Sequence, residues 1–375
     1  MAIKVILVAG ARPNFMKIAP IMAAMAADDR VEPYLVHTGQ HYDQRMSKLF
    51  FEELGIPKPD IDLGVGSGSH AVQTAETIKR FEPVCIDQRP DWVVVVGDVN
   101  STIACALVAT KLGVRVAHVE AGLRSFDRTM PEEINRVLTD RISDLLFTTE
   151  PSGNTNLAAE GVAPERVRFV GNVMIDTLLS HRQRAAASTL LDRLGLVGPD
   201  GPRRYGVVTL HRPANVDTQG CLGPILEALA EIGEALPLVF PVHPRTAKQI
   251  DRFGLRRLFA VADTLPGEAG RGLFAIEPQG YLDFLHMMAN SRIVLTDSGG
   301  LQEETTVLGV PCVTMRDNTE RPVTCDQGTN LLASTDPAAI LAAARATLAD
   351  PPTGRTPELW DGHASERIVE ILAAV

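Results

Sequence analysis

The chain has 375 residues, which is too long for one ordinary hydrophobic core and predicts two domains of α/β size. Hydrophobic residues make up 45% of the sequence and charged residues 22%, values that are typical of globular proteins and exclude a disordered chain. The formal net charge is −10 and the sequence contains no basic cluster. This balance argues against a nucleic-acid groove and leaves any anion to be bound by a local site.

Targeting signals and cysteines indicate the compartment. No apolar run approaches the length that spans a membrane, and the first apolar stretch is broken at residues 10–13, too early for a signal peptide. We therefore expect a cytoplasmic protein. The cysteines are odd in number, scattered and without C-x-x-C spacing, which predicts reduced thiols and neither a zinc site nor a disulfide framework. They are Cys85, Cys105, Cys221, Cys312 and Cys325.

The N-terminal segment predicts a strand, a ligand-binding turn and a helix. Residues 3–9 form an apolar run, and residues 13–27 repeat apolar side chains at helical spacing. The intervening GARPNFMK is neither a dinucleotide fingerprint nor a P-loop. Arg12 and Lys17 instead place two cations at the end of the first strand, where open α/β sheets bind ligands. Each is either a ligand contact or a solvated surface charge.

Further strands of the first half end in polar residues. A strand over 32–39 leads to Gln40 and His41, and the run DWVVVVGD predicts a buried strand that ends at Asp98. Asn100 and Ser101 are expected to cap the helix that follows, which leaves Asp98 free for chemistry.

Two more carboxylates belong to the same region. Strict alternation over residues 114–120 puts His118 and Glu120 on one face with two valines. Glu120 lies at the C-terminal end of this otherwise apolar face, where a carboxylate needs a partner or a purpose. Thr129 and Glu132 fit a capping box at the start of the next helix, so Glu132 is either structural or catalytic. Asp98, Glu120 and Glu132 are thus expected to gather at one sheet edge. Such a cluster raises at least one carboxyl pKa, as an acid and a base working near neutral pH require.

The second half repeats the plan of strand, charged tip and helix. The polar stretch 197–206 precedes a strand that ends at His211, and the next strand ends at His243. We expect His211 to be functional, since it occupies the same kind of strand tip as Asp98, and leave His243 open between a packed and a functional residue.

Residues 292–311 predict a phosphate site. An apolar strand ends there in Thr296 and Asp297. Ser298-Gly299-Gly300 then brings backbone N–H groups to a helix N-terminus, where the dipole favours an anion. Glu304, one turn further on, is placed to accept hydrogen bonds from both ribose hydroxyls, the alternative being an acid that complements the helix dipole. Arg316 and Arg321 follow on a loop and can each fork onto a diphosphate.

An aromatic side chain precedes the predicted phosphate site. Phe284 belongs to a helical apolar stripe, which by default is core. Because aromatic residues make up only 5% of the chain, a ring close to the phosphate site is also a candidate for stacking on a base.

The motifs at the predicted strand ends, taken together, resemble those of the non-hydrolysing UDP-N-acetylglucosamine 2-epimerases. The resemblance runs in order from about residue 3 to 330 and rests on GARPNFMK, GDVNST, HVEAGLRS, MPEEINR, TLHRPANVD, PVHP, LTDSGGLQEE, GVP and MRDNTERP. It implies the glycosyltransferase B-type fold, with two Rossmann-like doubly wound α/β domains and an active site in the central cleft. The implied N-terminal domain is 1–171, with a C-terminal helix 358–375 that returns to it, and the UDP-binding domain is 172–357. A homodimer is also implied.

The resemblance assigns roles to residues. The implied catalytic set is Asp98, Glu120, Glu132 and His211. Ser298, Gly299 and Arg321 would hold the diphosphate, Glu304 the ribose, and Phe284 with Arg12 and Lys17 the nucleoside end. The full set of implied substrate contacts is Arg12, Lys17, Gln40, His41, Arg136, His243, Gln279, Phe284, Ser298, Gly299, Gly300, Glu304 and Arg321.

The implied reaction uses neither NAD nor a metal. An acid/base pair removes the proton at C2 while UDP departs from C1, which gives a glycal-type intermediate; protonation at the opposite face and return of UDP then yield UDP-N-acetylmannosamine. The sequence does not assign which carboxylate is the acid and which the base. The family context implies a role in polysaccharide biosynthesis.

Three departures from the family pattern bear on regulation and substrate. Asn14 stands where many members have Glu, Pro213 where many bacterial members have Arg, and Tyr42-Asp43 replaces the usual residues. The last two lie where bacterial relatives help to hold a second, activating substrate molecule, so allosteric activation is not assumed. A variant substrate, such as a UDP-sugar acid with more acetamido groups, stays open. The competing functions are a hydrolysing epimerase, a glycosyltransferase of the same fold and a non-catalytic UDP-sugar sensor.

Overall fold

The computed structural model describes residues 2–39, 51–260 and 270–375, apart from the side chain of Arg12. The chain divides into two compact units. The first is Met1–Ser180 together with Glu358–Val375, and the second is His181–Pro357. Each unit is described separately below.

A parallel sheet forms the centre of the first unit. Its strands are β1 (Ile3–Ala9), β2 (Val31–His37), β3 (Ile61–Asp62), β4 (Trp92–Val96), β5 (Arg115–Ala121), β6 (Leu145–Thr148) and β7 (Val167–Phe169). They lie in the order β3-β2-β1-β4-β5-β6-β7, so the direction of winding reverses between β1 and β4. The loops that follow β1 and β4 therefore meet at the position where open α/β sheets bind ligands.

Helices connect these strands, as parallel pairing requires. They are α1 (Arg12–Ala26), α2 (His70–Gln88), α3 (Asn100–Lys111), α4 (Pro131–Ile142), α5 (Pro151–Ala159) and α6 (Val173–Ala185), with a 3₁₀ turn at Pro164–Arg166. The apolar run of β4 is buried along its whole length because it has a strand on either side. The boundary between the two units falls inside α6, at Ser180.

The second unit repeats this plan with a six-stranded parallel sheet. Its strands are β10 (Gly206–Thr209), β11 (Leu238–Pro241), β12 (Leu273–Ile276), β13 (Ile293–Thr296), β14 (Cys312–Thr314) and β15 (Asn330–Leu332), and an antiparallel pair, β8 (Val197–Gly198) and β9 (Gly201–Pro202), precedes them. The order β12-β11-β10-β13-β14-β15 reverses between β10 and β13. The tips of these two strands carry His211 and the segment Ser298–Gly300.

The remaining helices complete the α/β layers. They are α7 (Leu190–Arg193), α8 (Pro213–Val216), α9 (Gln219–Gly233), α10 (Pro244–Arg252), α11 (Tyr281–Ala289), α12 (Gly299–Leu308), α13 (Pro322–Asp326), α14 (Pro337–Ala349) and α15 (Ala364–Ala374), with a 3₁₀ turn at Leu255–Leu258. The last of these belongs to the first unit, where it packs on α1. Before it, buried Trp360 donates a hydrogen bond from its indole nitrogen to the carbonyl of Thr149 at 2.8 Å.

The predicted fold class, two doubly wound α/β units, is confirmed by these two parallel sheets. Two local predictions are wrong. Helix α4 begins at Pro131 with Met130 at its N-cap, and the hydroxyl of Thr129 donates to Asp127 at 2.6 Å instead of forming a capping box with Glu132. Helix α3 has Val99 at its N-cap and no side-chain cap, because Asn100 instead bonds to residues of α2. Within the described ranges, no helix is both long and apolar enough to cross a bilayer.

Candidate active site

Glu120 occupies a strained position at the end of β5. Its backbone φ of 74° lies in the left-handed region, and the register between β5 and β6 shifts between Val119 and Ala121. The side chain is buried and forms an ion pair with the ammonium group of Lys17 from α1. Strained non-glycine backbone persists where the surroundings determine it, and such positions cluster at functional sites. At this irregularity the regular pairing of β5 with β6 is interrupted, as at a β-bulge.

Gly97 makes room for the Lys17–Glu120 pair. Its φ is 67°, and a Cβ atom there would lie 3.0 Å from Lys17 Nζ and 3.2 Å from Glu120 Oε2. Only glycine combines this backbone conformation with so close an approach. The turn after β4 thus brings the backbone beside Asp98 directly against the buried ion pair.

Asp98 forms an ion pair with Arg136 of α4, a partner that the sequence did not indicate. The same guanidinium donates to Glu133 at 2.8 Å, and the side-chain amide of Asn135 donates to the carbonyl of Asp98 at 2.9 Å. Helix α4 therefore anchors the end of β4. Arg136 was expected to contact substrate, and the structure places it on a candidate catalytic carboxylate.

Glu132 and Glu133 have different environments. Glu133 is buried and accepts hydrogen bonds from the backbone and hydroxyl of Ser125, the backbone of Phe126 and the guanidinium of Arg136. Glu132 is half-buried on the first turn of α4. The sequence singled out Glu132 alone. Glu133 is the acid that shapes the loop before α4, because it accepts three hydrogen bonds from residues seven or eight positions earlier in the chain.

A buried network that sequence reasoning missed supports this sheet edge. His118 Nε2 donates to the carbonyl of Gly97 at 2.8 Å, and Nδ1 lies 2.6 Å from Asp140. Arg124 also pairs with Asp140, at 2.7 Å. Burial by itself would raise the pKa of Asp140, but the charges and hydrogen bonds of His118 and Arg124 hold this pKa below its usual value. Alternation had placed His118 on the face of Glu120 without indicating its partners.

Asn14, a departure from the family pattern, has a structural role. Its side-chain oxygen accepts hydrogen bonds from the backbone of Gly10 at 3.1 Å and of Ala11 at 2.8 Å. Its amide nitrogen donates to the carbonyl of Val96 at 3.1 Å. An ionised Glu has no donor for that carbonyl, so the amide joins the ends of β1 and β4 in a way that a carboxylate does not.

In the second unit, His211 is held by an acid at the end of the neighbouring strand. His211 Nδ1 lies 3.0 Å from Oδ1 of Asp297, which is fully buried, whereas the His211 side chain is 44% exposed. The sequence indicated Asp297 only as the end of a strand. His243 is exposed at the N-cap of α10, with its ring centroid 6.2 Å from that of His211.

The glycine turn begins helix α12 as predicted. Ser298 is the N-cap residue, and its side chain makes no capping hydrogen bond. Gly299 and Gly300 form the first turn. A Cβ atom at Gly299 would lie 2.6 Å from Nη1 of Arg321, so glycine is needed for the guanidinium to approach the helix N-terminus. The uncapped backbone N–H groups and this arginine form a site suited to an anion.

Buried acids hold the arginines of this turn. Arg321 donates to Glu303 at 2.6 Å and lies 3.5 Å from Glu320. Arg316 forms a bidentate pair with Glu320, at 2.8 and 3.0 Å. Burial opposes ionisation of Glu320, yet the hydrogen bonds and charge of Arg316, with Arg321 and Arg212 nearby, hold its pKa well below the ordinary value. The guanidinium of Arg321 is thereby fixed at the helix N-terminus.

Glu304 lies in a different environment from these acids. It is buried on α12 and accepts a hydrogen bond from the hydroxyl of Tyr281 at 3.0 Å. Burial raises its pKa to about 8; the Tyr281 hydroxyl partly offsets this, while the charge of Glu303 adds to it. A neutral carboxyl group that both donates and accepts hydrogen bonds suits a ligand with neighbouring hydroxyls.

The other predicted contacts are spread around these features. Phe284 is half-buried on α11, and the amide of Gln279 donates to the carbonyl of Glu277 at 2.6 Å. Gln40, His41 and the side chain of Arg12 lie outside the described set. In the part of the chain that the structure describes, no group of three or more His, Cys, Asp or Glu side chains is arranged to hold a metal ion.

Replacing Gly97 with Ala tests the packing at the Lys17–Glu120 pair. We expect Gly97→Ala to lower the free energy of unfolding by about 2–3 kcal/mol or more, because left-handed strain is added to the displacement of a buried ion pair. Gly113→Ala is the matched control, since Gly113 has a φ of 74° and an added Cβ atom would meet nothing within 4 Å. Urea denaturation measures both variants, and equal losses would contradict the proposed packing.

The raised pKa of Glu304 predicts how stability depends on pH. Between pH 4.5 and about 8 the unfolded chain ionises this group while the folded chain keeps it protonated. The free energy of unfolding of the wild type therefore falls by up to about 1.4 kcal/mol per pH unit as the pH rises through this range. Glu304→Gln removes that loss, so its unfolding free energy relative to the wild type should increase from pH 5 to pH 8.

Tyr281→Phe provides the control for this experiment. It removes the hydroxyl that favours the charged carboxylate, so the decline in stability should extend to higher pH than in the wild type. Urea denaturation at pH 5, 6, 7, 8 and 9 distinguishes these outcomes. A difference between Glu304→Gln and the wild type that stays constant with pH would show that Glu304 is ionised in the folded protein.

Comparison with known proteins identifies the family. The family model described as UDP-N-acetylglucosamine 2-epimerase matches residues 23–373. The chain is 41% identical to the UDP-N-acetylglucosamine 2-epimerase of Methanocaldococcus jannaschii over 98% of both chains. It is 42% identical to the UDP-2,3-diacetamido-2,3-dideoxy-D-glucuronate 2-epimerase of Pseudomonas aeruginosa over 99% of both.

A solved structure is similar along the whole chain. The crystal structure of the M. jannaschii UDP-GlcNAc 2-epimerase in complex with UDP-GlcNAc and UDP has a TM-score of 0.90 and 40% sequence identity, and the match covers 99% of this chain and 100% of that one. The resemblance found in the sequence motifs is therefore confirmed. The chain belongs to the UDP-N-acetylglucosamine 2-epimerase family.

Proposed function

We propose that this chain is a non-hydrolysing UDP-N-acetylglucosamine 2-epimerase, which interconverts UDP-GlcNAc and UDP-N-acetylmannosamine. The observation that carries the proposal is the strained, buried Glu120, which is held against Lys17 beside the turn that bears Asp98. A relative with 41% identity is named UDP-N-acetylglucosamine 2-epimerase, and a solved structure with 40% identity contains UDP-GlcNAc and UDP.

The second unit is proposed to bind the UDP group. The diphosphate would lie at the backbone N–H groups of Ser298–Gly300 and at Arg321, whose guanidinium is fixed by two buried acids. Glu304 would bind the ribose hydroxyls and Phe284 would contact the base. Gly299 supports this role, because the absence of a Cβ atom brings cation and helix N-terminus together.

The first unit is proposed to carry the proton chemistry. One carboxylate of Asp98, Glu120 and Glu132 takes the proton from C2, the C–H electron pair forms the C1–C2 double bond, and the C1–O bond breaks as UDP leaves. Protonation of C2 from the opposite face and re-addition of UDP complete the epimerisation. We assign Lys17 to Glu120 rather than to the nucleoside, because the two side chains form a buried ion pair.

A related UDP-sugar acid is the second candidate substrate. The P. aeruginosa relative, named for a UDP-diacetamido-glucuronate, is as similar to this chain as the relatives named for UDP-GlcNAc. Both substrates would use the same proton transfer at C2. They differ at C3 and C6, so activity with each substrate must be measured separately.

We further propose a cytoplasmic homodimer. The five cysteines are all free thiols, as a reducing compartment favours.

Helix α4 exposes Ile134, Val137 and Leu138 at a spacing of three and four residues, and Phe126 before it is 76% exposed. An outward apolar stripe of this kind supports pairing with a second copy of the chain. No nucleic-acid or membrane partner is proposed.

Incubation of the pure protein with UDP-GlcNAc in heavy water tests the function. Deuterium at C2 with UDP still attached is expected for the epimerase. Free N-acetylmannosamine and UDP would indicate a hydrolase, and no exchange with either candidate substrate would indicate a glycosyltransferase or a sensor. The same experiment with the UDP-diacetamido-glucuronate decides between the two substrates.

Substitutions separate the roles of the two units. We expect Asp98→Asn and Glu120→Gln to abolish C2 exchange while UDP affinity stays within about tenfold, because these residues act on the sugar. Arg321→Ala should weaken UDP binding about tenfold or more, because it removes charge-assisted hydrogen bonds to the diphosphate. Arg345→Ala is the matched control, since Arg345 lies on the exposed surface of the second unit, where it pairs with Glu231. Turnover retained in both acid variants, or unchanged UDP affinity in Arg321→Ala, would contradict these assignments.

Negative charges introduced on the exposed apolar face of α4 test the proposed homodimer. The double variant Ile134→Glu and Leu138→Glu should sediment as a monomer at concentrations at which the wild type is a dimer, because four like charges would face each other across a two-fold contact. Leu331→Glu, which changes an exposed leucine of the second unit, is the control and should remain a dimer. A wild type that sediments as a monomer, or a double variant that stays dimeric, would exclude this surface.

A further inference from the structure

Asp297 is a fully buried acid between the strand tips of the second unit. It follows β13, and its carboxylate accepts hydrogen bonds from the backbone of His211 at 3.0 Å and of Arg212 at 2.9 Å. The side-chain amide of Asn215 donates to the same oxygen, Oδ2, at 3.3 Å. These three donors come from the end of β10 and from α8, so one carboxylate fixes the turn that bears His211.

The other carboxylate oxygen of Asp297 determines which nitrogen of the His211 ring carries the proton. Oδ1 of Asp297 lies 3.0 Å from His211 Nδ1. Burial alone would raise the pKa of Asp297, but the charge and hydrogen bond of His211, with the backbone N–H groups, keep this pKa below its ordinary value. An ionised carboxylate only accepts hydrogen bonds, so Nδ1 carries the proton and donates it. Nε2 is then the nitrogen left to face a ligand.

Other charged and titratable groups face the same ring. The His243 ring lies 6.2 Å away, centroid to centroid, on the adjacent strand tip. Arg212 donates from Nε to the carbonyl of Asp297 at 3.1 Å and lies 3.9 Å from Glu320. Asp297 is the group in direct contact with an imidazole nitrogen, whereas the arginine is bonded to the backbone of the acid and the second ring is more distant.

From this geometry we infer that Asp297 is a positioning residue: it holds His211 in the Nδ1-protonated form, with Nε2 directed outward toward the UDP-sugar. The inference rests on the proposed function, because the outward nitrogen acts only if a substrate binds there. Asp297 also immediately precedes Ser298. One residue therefore sets both the histidine and the start of the helix proposed to bind the diphosphate, and the two are held in fixed relation.

A double-mutant cycle tests whether Asp297 acts through His211. The variants are Asp297→Asn, His211→Gln and the double variant, and the readout is the steady-state rate of C2 exchange in heavy water. We expect Asp297→Asn to lower kcat about 10²-fold with little change in KM, and to change the rate less than about threefold in the His211→Gln background. Multiplicative losses in the double variant would overturn the inference.

Asn215→Ala is the matched structural control. It removes one contact to Asp297 while keeping the carboxylate and its bond to the ring. If ring orientation matters, Asn215→Ala lowers kcat much less than Asp297→Asn does. Equal losses would mean that the carboxylate only stabilises the turn, and would contradict a positioning role.

The ring nitrogens of the wild type provide a test that no folding defect can obscure. In protein labelled with ¹⁵N-histidine and assigned by comparison with His211→Gln, the Nδ1 resonance should be that of a protonated nitrogen throughout the pH range of folding. An Nε2-protonated neutral ring would overturn the inference. This result is independent of turnover, so a wild type without C2 exchange would reject the proposed function while the tautomer of His211 is still measured.

Discussion

Buried carboxylates at the ends of parallel strands, each held by a cation or by hydrogen bonds, position the candidate site residues of both units. Removing a carboxylate from water costs several kcal/mol unless a cation and hydrogen bonds replace the solvent. Glu120 is held by Lys17, and Asp297 by His211 and backbone N–H groups. Because these partners are supplied by neighbouring strands and helices, the sheet topology and the charged groups depend on each other. Removing one partner leaves an uncompensated buried charge, which is more disruptive than losing the pair.

The need to pair buried charges leads to different arrangements in the two units. In the first, the winding reverses between β1 and β4, and Gly97 lets the β4 turn lie against the Lys17–Glu120 pair. In the second, it reverses between β10 and β13, and Gly299 lets Arg321 lie against a helix N-terminus. A carboxylate held by a lysine is suited to proton transfer, whereas an arginine between two acids is suited to a fixed diphosphate contact.

The fold and most strand tips could be predicted from the sequence because their signals are local. The apolar run of β4 and the glycines after β4 and β13 lie within a few residues of the features they define. The partners could not be predicted, because they depend on the tertiary arrangement: Lys17 and Glu120 are 103 residues apart, and His211 and Asp297 are 86 apart. The same reason explains why the sequence did not indicate the partner of Asp98, since Arg136 reaches it from a helix 38 residues later.

We propose that the acids of the first unit act on a sugar whose diphosphate is bound by the second. A crystal structure of the Asp98→Asn variant with UDP-GlcNAc would test this proposal. We expect the pyrophosphate at Ser298–Gly300 and Arg321, and C2 of the sugar close to the side chain of residue 98, Glu120 or Glu132. A diphosphate bound elsewhere, or a C2 atom remote from all three side chains, would contradict it.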